Sequence, residues 1–273
     1  MVGVRRCRNG ARAAGRFAGW CGSVSGGSKE AALSGSREGD GRESGVLRVL
    51  VTAGPTHEPI DAVRFIGNRS SGAMGAAIAD EARARGFEVT VYLGPCAIGP
   101  VDTGVVVERF RTAADLETLL RRGLAGGGDG FDVVVMAAAV ADYRPARMSG
   151  GKLRRSEGGL SIELEATPDL LAGVSEMLAG VGEGRPYLVG FALEPREGLE
   201  AAARAKLERK GVDAVVGNPL ETMESGEVDG VLVLGGGVVE VAPAGVSKRE
   251  FAVWLWDRLA DRVEAARRGG PGS

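Results

Sequence analysis

The stretch Leu47-Arg48-Val49-Leu50-Val51-Thr52-Ala53-Gly54-Pro55-Thr56 decides the fold: an apolar run that stops abruptly at Gly and Pro. A run of this kind reads as a strand buried on both faces, followed by a loop. Outward from it, a helical stretch Ala73 to Arg85 leads to a second apolar run, Glu88 to Leu93, and a third follows at Val105 to Phe110. Next comes a predicted helix, Ala113 to Leu124, with Leu116, Leu119, Leu120 and Leu124 at helical spacing. After Gly126-Gly127-Gly128, strands are predicted at Asp132 to Ala137, Tyr187 to Phe191 and Ala214 to Val216, with the charged helix Gly198 to Arg209 before the last. Strands alternating with helices make parallel β-α-β units, whose sheet is covered on both faces.

Two segments break the rhythm. Lys152 to Glu165 alternates Leu160, Ile162 and Leu164, and Val231 to Val241 is interrupted by Gly235-Gly236-Gly237; both read as antiparallel hairpins. The first lies between a strand and the next helix, so it is expected to project as an arm toward a partner subunit or over the site. The last helix, Lys248 to Val263, sets Phe251, Leu255 and Leu259 on one stripe with Trp254 and Trp256 beside it, aromatics read here as core. The predicted fold class is α/β: a Rossmann-like, doubly wound, mostly parallel sheet with an inserted antiparallel hairpin arm.

Composition narrows the chemistry. The balance of 34 Lys and Arg against 36 Asp and Glu gives no global pull toward nucleic acid or an anionic membrane, so a positive site has to be local. Cys7, Cys21 and Cys96 form no C-x-x-C pair and no disulfide framework, which fits a reducing, cytoplasmic setting. With His57 the single histidine, a His-rich zinc site or a Ser-His-Asp triad is disfavoured. No apolar run reaches the roughly 20 residues that span a bilayer. Residues 1–45 are rich in Gly, Ser, Ala and Arg; they read as a disordered or non-native extension, with a transit peptide as the other reading of the Arg-rich start. The expected domain is 46–264, with 265–273 as a disordered tail.

In open α/β sheets ligands bind beyond the carboxyl ends of the strands. Three loops therefore carry the information, those after Val51, Ala137 and Phe191. The first runs Thr52-Ala53-Gly54-Pro55-Thr56-His57-Glu58-Pro59-Ile60-Asp61 and continues through Val63-Arg64-Phe65-Ile66 to Asn68-Arg69-Ser70-Ser71-Gly72-Ala73-Met74-Gly75. Two hydroxyls and small residues directly before a helix either cradle a phosphate or simply cap it, with Ser70 as the N-cap. The second loop, Met136-Ala137-Ala138-Ala139-Val140-Ala141-Asp142-Tyr143-Arg144-Pro145, lets a flat ligand approach the backbone. Asp142 can accept from a ribose or base, hold a metal, or cap the next turn. Neither G-x-G-x-x-G in the first turn nor G-x-x-x-x-G-K-[ST] occurs, which disfavours an ordinary dehydrogenase or P-loop enzyme.

Taken in order, these motifs resemble the phosphopantothenate:cysteine ligase domain of the bacterial bifunctional coenzyme A synthesis protein. Further matching segments are Lys152-Leu153-Arg154-Arg155, Thr167-Pro168-Asp169-Leu170, Val189-Gly190-Phe191-Ala192, Lys206-Leu207-Glu208-Arg209-Lys210-Gly211 and Gly217-Asn218, so the resemblance covers about Leu47 to Arg262. It implies an amide-forming ligase in coenzyme A biosynthesis. The carboxylate of phosphopantothenate attacks the α-phosphate of CTP, with Mg²⁺, and the amine of cysteine then displaces CMP. The nucleotide site implied is Gly54, Ser70, Ser71, Gly72, Met136, Ala137, Ala138, Asp142, Lys152, Ala166, Thr167, Pro168, Asp169, Phe191, Lys206 and Lys210. Lys152 is expected to promote activation at the α-phosphate and Asn68 to serve the acyl intermediate as donor and acceptor. Arg64 either grips a substrate phosphate or carboxylate or braces its loop, and Asp142 is the expected metal residue.

The chain departs from the family pattern in places. The arm reads Lys152-Leu153-Arg154-Arg155 where Lys-Ile-Lys-Lys is usual, which keeps charge and changes donor geometry. Pro195 follows Glu194 where Thr is common. The decarboxylase half of the bifunctional proteins is expected on a separate polypeptide, and a homodimer is expected by resemblance. Two rivals are a short-chain oxidoreductase-like protein using NAD(P), opposed by the missing fingerprint and the missing Tyr-x-x-x-Lys, and a nucleotide-binding relative without turnover, opposed by the joint presence of Asn68, Asp142 and Lys152.

Overall fold

The computed structural model describes residues 45–125, 130–155, 158–182, 184–223 and 225–267, within the compact unit Ser44–Ser273. The N-terminal extension up to residue 44, the Gly126-Gly127-Gly128 linker and the tail from residue 268 lie outside the described residues.

The opening apolar run is strand β1 (Arg48–Ala53), with Val49, Leu50, Val51 and Ala53 fully buried. The loop beyond it folds back as a short antiparallel pair, β2 (His57–Pro59) and β3 (Phe65–Gly67), which the sequence reading did not anticipate. Helix α1 (Ala73–Ala84) returns the chain to β4 (Glu88–Leu93), parallel to β1, and β5 (Val106–Arg109) forms the edge. Helix α2 (Ala113–Gly123) starts with a capping box, the Thr112 hydroxyl accepting from the Asp115 amide and the Asp115 carboxylate from the Thr112 amide.

Across β1 lie β6 (Val133–Met136), the pair β7 (Tyr143–Pro145) and β8 (Leu164–Ala166), and helix α3 (Leu170–Leu178). Then come β9 (Tyr187–Glu194), helix α4 (Leu199–Lys210), β10 (Ala214–Pro219), β11 (Glu227–Val228), β12 (Val231–Leu234), β13 (Val239–Val241), β14 (Val246–Ser247) and helix α5 (Lys248–Arg267). The eight-stranded sheet has the order β13-β12-β10-β9-β6-β1-β4-β5; β12 alone is reversed, pairing antiparallel with both β10 and β13. The doubly wound, mostly parallel architecture read from the sequence is therefore correct.

Alternation along each strand divides the core. Val49, Val51, Val135, Val189 and Val216 face α1 and α5, where Phe251, Leu255, Leu259 and Trp256 are fully buried. Leu50, Val134, Leu188 and Val215 face α2, α3 and α4. The indole N–H of Trp256 donates to Ile78 O at 3.0 Å, so a polar group carried into the core is satisfied there.

Three readings change. The arm is a hairpin, but its strands are β7 and β8 in the register Tyr143↔Ala166, not the segment Lys152 to Glu165 folded on itself. Leu160 and Leu164 are exposed, so their alternation marks no buried face of a strand pair, and pairing is set instead by the backbone and an Arg144–Glu165 bridge of 2.8 Å. The N-cap of α1 is Gly72 at φ 80°, a left-handed conformation open to glycine, and not Ser70. Helix α5 continues past Val263 to Arg267.

Candidate functional site

The chain leaves β1 toward β4 and β5, then crosses back to β6, β9 and β10 on the other side. The crevice between β1 and β6 is thus the topological switch point, where the loops diverge. Its floor is tied together by backbone: Ala139 N donates to Gly54 O at 2.9 Å and Thr56 N to Ala139 O at 3.2 Å, extending the parallel pairing by a Pro55–Ala139 bridge. Two buried hydroxyls complete the tie. Thr52 Oγ1 accepts the Ala138 amide at 3.1 Å and Thr56 Oγ1 the Ala141 amide at 3.0 Å. The polar residues of the first motif therefore serve the backbone of the second.

Above this floor opens a cleft of about 500 Å³. Asn68, Ser70, Ser71 and Gly72 form one wall, Ala137 and Ala138 the base, and Phe191 a further wall, so seven of the sequence-derived site residues meet in one place. Ser70 Oγ accepts from Gly72 N at 3.3 Å and Ser71 Oγ from Ala73 N at 3.4 Å; each serine crosses one residue to steady the turn that opens α1. The positive end of α1 faces the cleft and favours an anion there. Gly54 and Met136 support the site from below: Gly54 accepts from Ala139 N, and Met136 is buried.

Asn68 is engaged. Its Nδ2 donates to Ala139 O at 3.2 Å and to Val140 O at 3.1 Å, pinning the turn before α1 to the loop after β6.

A second cluster adjoins the first through Phe191. Lys206 Nζ donates to Phe191 O at 2.5 Å, and Lys210, four residues on along α4, pairs with Asp169, the N-cap of α3. Burial pushes the Lys206 ammonium below its ordinary pKa, with the Asp169 charge partly opposing the shift. Burial raises the Asp169 carboxyl, but the Lys210 bond and the Ala172 amide outweigh it and leave the net value lowered. Thr167 links this cluster to the loop after β6: its amide donates to Asp142 O at 2.9 Å and its hydroxyl to Ala141 O at 2.5 Å. Ala166 and Pro168 flank it, both exposed.

Asp142 is exposed at the end of the loop that floors the cleft. Among the described residues no three His, Cys, Asp or Glu groups cluster as a metal cage. Asp142 therefore fits a divalent ion only as one carboxylate, the remaining ligands coming from phosphate oxygens and water, a habit of Mg²⁺. Lys152 is exposed and stands outside the cleft lining of its own chain. Arg64 braces its loop: Nε and Nη2 donate to Asp61 Oδ2 at 3.0 and 2.5 Å, and Nη2 to Leu153 O at 2.7 Å. His57 stacks on Phe65 with ring centroids 3.6 Å apart, outside the cleft lining.

The sequence reading gave no role to the wall formed by Asn218, Leu220, Thr222, Met223 and Lys248. Asn218 stood in a matched segment; Lys248 read only as the first residue of a helix. Its Nζ donates to Ser225 O at 2.7 Å, so one cation both lines the cleft and anchors the chain just beyond the wall residues Thr222 and Met223. Among the described residues no helix is long and apolar enough to cross a membrane.

Comparison with known proteins agrees with this fold. The family model for the DNA/pantothenate metabolism flavoprotein C-terminal domain matches residues 45–263. The chain is 41% identical over 217 residues to the coenzyme A biosynthesis bifunctional protein CoaBC of Thermococcus kodakarensis, covering 78% of this chain and 50% of that one. It is 40% identical over 179 residues to a cysteine/cysteine sulfinic acid decarboxylase of an unidentified prokaryote, covering 66% of this chain and 47% of that protein. The chain thus spans about half the length of these curated relatives. The crystal structure of the C-terminal domain of a CoaBC protein superposes with TM-score 0.65 at 33% identity, over 80% of this chain and 96% of that one. On the match of residues 45–263, the chain belongs to the family of the DNA/pantothenate metabolism flavoprotein C-terminal domain.

Proposed function

We propose that this chain is a ligase of coenzyme A biosynthesis that joins 4′-phosphopantothenate to L-cysteine through an acyl-cytidylyl intermediate formed from CTP. One observation carries the reading: the switch-point cleft gathers Asn68, Ser70, Ser71, Ala137, Ala138 and Phe191, and the Lys206–Lys210–Asp169 cluster abuts it through Phe191. Small residues at the floor let a nucleotide approach the backbone, and Phe191 offers a ring face for a base. Lys206 and Lys210 supply positive charge for its phosphates, with Asp169 as the counter-charge that phosphate replaces. Asp142, with phosphate oxygens, would hold a Mg²⁺ ion, which would supply charge neutralisation at the triphosphate.

The substrate carboxylate attacks the α-phosphorus, and pyrophosphate departs. Lys152 is the cation assigned to that step. The cysteine amine then attacks the acyl carbonyl, the carbon–oxygen bond to CMP breaks, and the amine proton is lost. Asn68 steadies the developing oxyanion by turning one of its two donors away from the 139–140 carbonyls.

Because Lys152 lies outside the cleft of its own chain, a homodimer belongs to this reading, with the β7–β8 arm of one subunit serving the other. Exposed Tyr143, Leu160 and Leu164 on that arm supply apolar surface for such a contact. A cytoplasmic location fits the cysteine pattern. Nucleic acid and membrane are not partners in this reading.

The test is pyrophosphate release with phosphopantothenate and cysteine, each nucleoside triphosphate being supplied in turn with Mg²⁺. Release with CTP that needs phosphopantothenate, together with the amide product by mass spectrometry, is the expected result. No release with any triphosphate, or tight binding of NAD(P) in its place, overturns it.

A further inference from the structure

Asp61 is a buried carboxylate, and its hydrogen bonds point at the arm rather than at the cleft. Oδ1 accepts the amides of Val63 and Arg64, both at 2.8 Å, which folds the loop between β2 and β3 around the side chain. Oδ2 accepts from the Arg64 guanidinium and, 92 residues away in sequence, from the Leu153 amide at 3.1 Å. Arg64 Nη2 in turn donates to Leu153 O at 2.7 Å. Both backbone groups of Leu153 are thus taken by one ion pair.

A third bond fixes the other end, Ser149 N donating to Ile60 O at 3.0 Å. The chain between these anchors is Gly150-Gly151-Lys152, and neither glycine has a neighbouring atom within 4 Å of where a Cβ would stand. Within the stretch Ser149 Oγ donates to Gly151 O at 3.0 Å, a local bond from the anchor residue itself. The direction in which Lys152 leaves the protein therefore depends on the bonds at its two ends.

We propose that Asp61 is a positioning residue: with Arg64 it clamps Leu153 and so fixes the backbone that carries Lys152. The clamp stands on the geometry alone; its consequence for catalysis rests on the function proposed above. The Arg64 guanidinium and the loop amides hold the Asp61 carboxyl well below the usual carboxylate range, so the clamp stays charged through the working pH.

Asp61→Asn separates the two halves of this side chain. Its Oδ1 can still serve Val63 and Arg64, but Nδ2 then faces the guanidinium and the Leu153 amide, donor against donor. A second variant, Leu153→Pro, leaves the Asp61 loop intact and removes the single N–H that the clamp holds. Limited trypsinolysis reads the clamped segment of the arm directly, because Lys152, Arg154 and Arg155 are cleavage sites at the clamp; for Leu153→Pro the cut after Arg154 is followed, since Lys–Pro bonds resist trypsin.

We expect cleavage in the arm to accelerate about tenfold or more in both variants, with cutting elsewhere at the wild-type rate. In parallel, kcat for pyrophosphate release falls about ten- to a hundredfold, as for a misplaced catalytic group, while the KM for cysteine is unchanged. Unchanged arm cleavage in both variants overturns the clamp. Accelerated cleavage with wild-type turnover overturns the positioning role. If the wild-type protein itself releases no pyrophosphate with any triphosphate, the proposed function fails, and the cleavage rates still decide the clamp.

Discussion

The carboxamide of Asn68 donates to Val140 O at 3.1 Å, joining the turn before α1 to the loop after β6 directly across the switch-point crevice. The same nitrogen reaches Ala139 O at 3.2 Å. Asn68→Asp removes both donors and sets a negative charge against two carbonyl oxygens. We predict that attack by cysteine slows by about 10²-fold, the scale of losing one oxyanion donor. The acyl cytidylate should then accumulate and be visible by mass spectrometry after mixing enzyme, CTP, Mg²⁺ and phosphopantothenate before cysteine. Wild-type product formation would show that Asn68 only ties the two loops.

Lys152→Ala should act on the other half-reaction. Charge redistributes at the α-phosphorus during activation, and loss of a cation there should lower pyrophosphate release about 10²-fold or more. Mixing Lys152→Ala with Asn68→Asp protein tests the dimer as well. If the arm serves the partner's cleft, heterodimers regain one complete site, and pyrophosphate release with product formation rises above that of either variant alone.

Lys206 gives a pH dependence with a definite sign. Burial lowers its pKa in the folded chain, so between that value and the ordinary lysine value the unfolded chain binds more protons, and this residue's contribution to stability rises with pH across that window. Nucleotide binding runs the other way, because phosphate needs the charged form. Affinity for CTP should fall on the alkaline side, starting below the ordinary lysine range, with proton uptake on binding measurable by calorimetry in two buffers. Lys206→Arg keeps its charge throughout and should flatten that limb; an identical limb in both proteins would assign it elsewhere.

Gly75→Ala and Gly173→Ala should move stability in opposite directions. A Cβ on Gly75 would stand 2.5 Å from the Ala53 Cβ, so α1 could not keep its seat on β1; we expect a loss of about 1–3 kcal/mol, typical of overpacking. Gly173 in α3 has nothing within 4 Å of that position, and alanine there should gain up to about 1 kcal/mol of helix propensity. Urea midpoints at constant slope would measure both.

The sequence alone determined the layering. Leu47 to Val51, Glu88 to Leu93 and the alternating helices specify a covered parallel sheet because burial on both faces demands continuous apolar strands, and that pattern is local. The stripe of Phe251, Leu255 and Leu259 was legible for the same reason. The arm was misread because the alternation of Leu160, Ile162 and Leu164 identifies no pairing partner; β8 pairs with Tyr143–Pro145, a choice made by register across the loop.

Motif order marked Asn68, Ser70, Ser71, Ala137, Ala138 and Phe191 as one site, and the switch point brings them together. What only the tertiary structure decided is what each polar group is bonded to. Thr52 and Thr56 serve amides 86 and 85 residues away, Asp61 holds Leu153, and Lys248, bonded to Ser225 O, lines a wall of the cleft. A hydrogen bond depends on distance and direction between groups far apart in the chain, and residue type fixes only the capacity to make one.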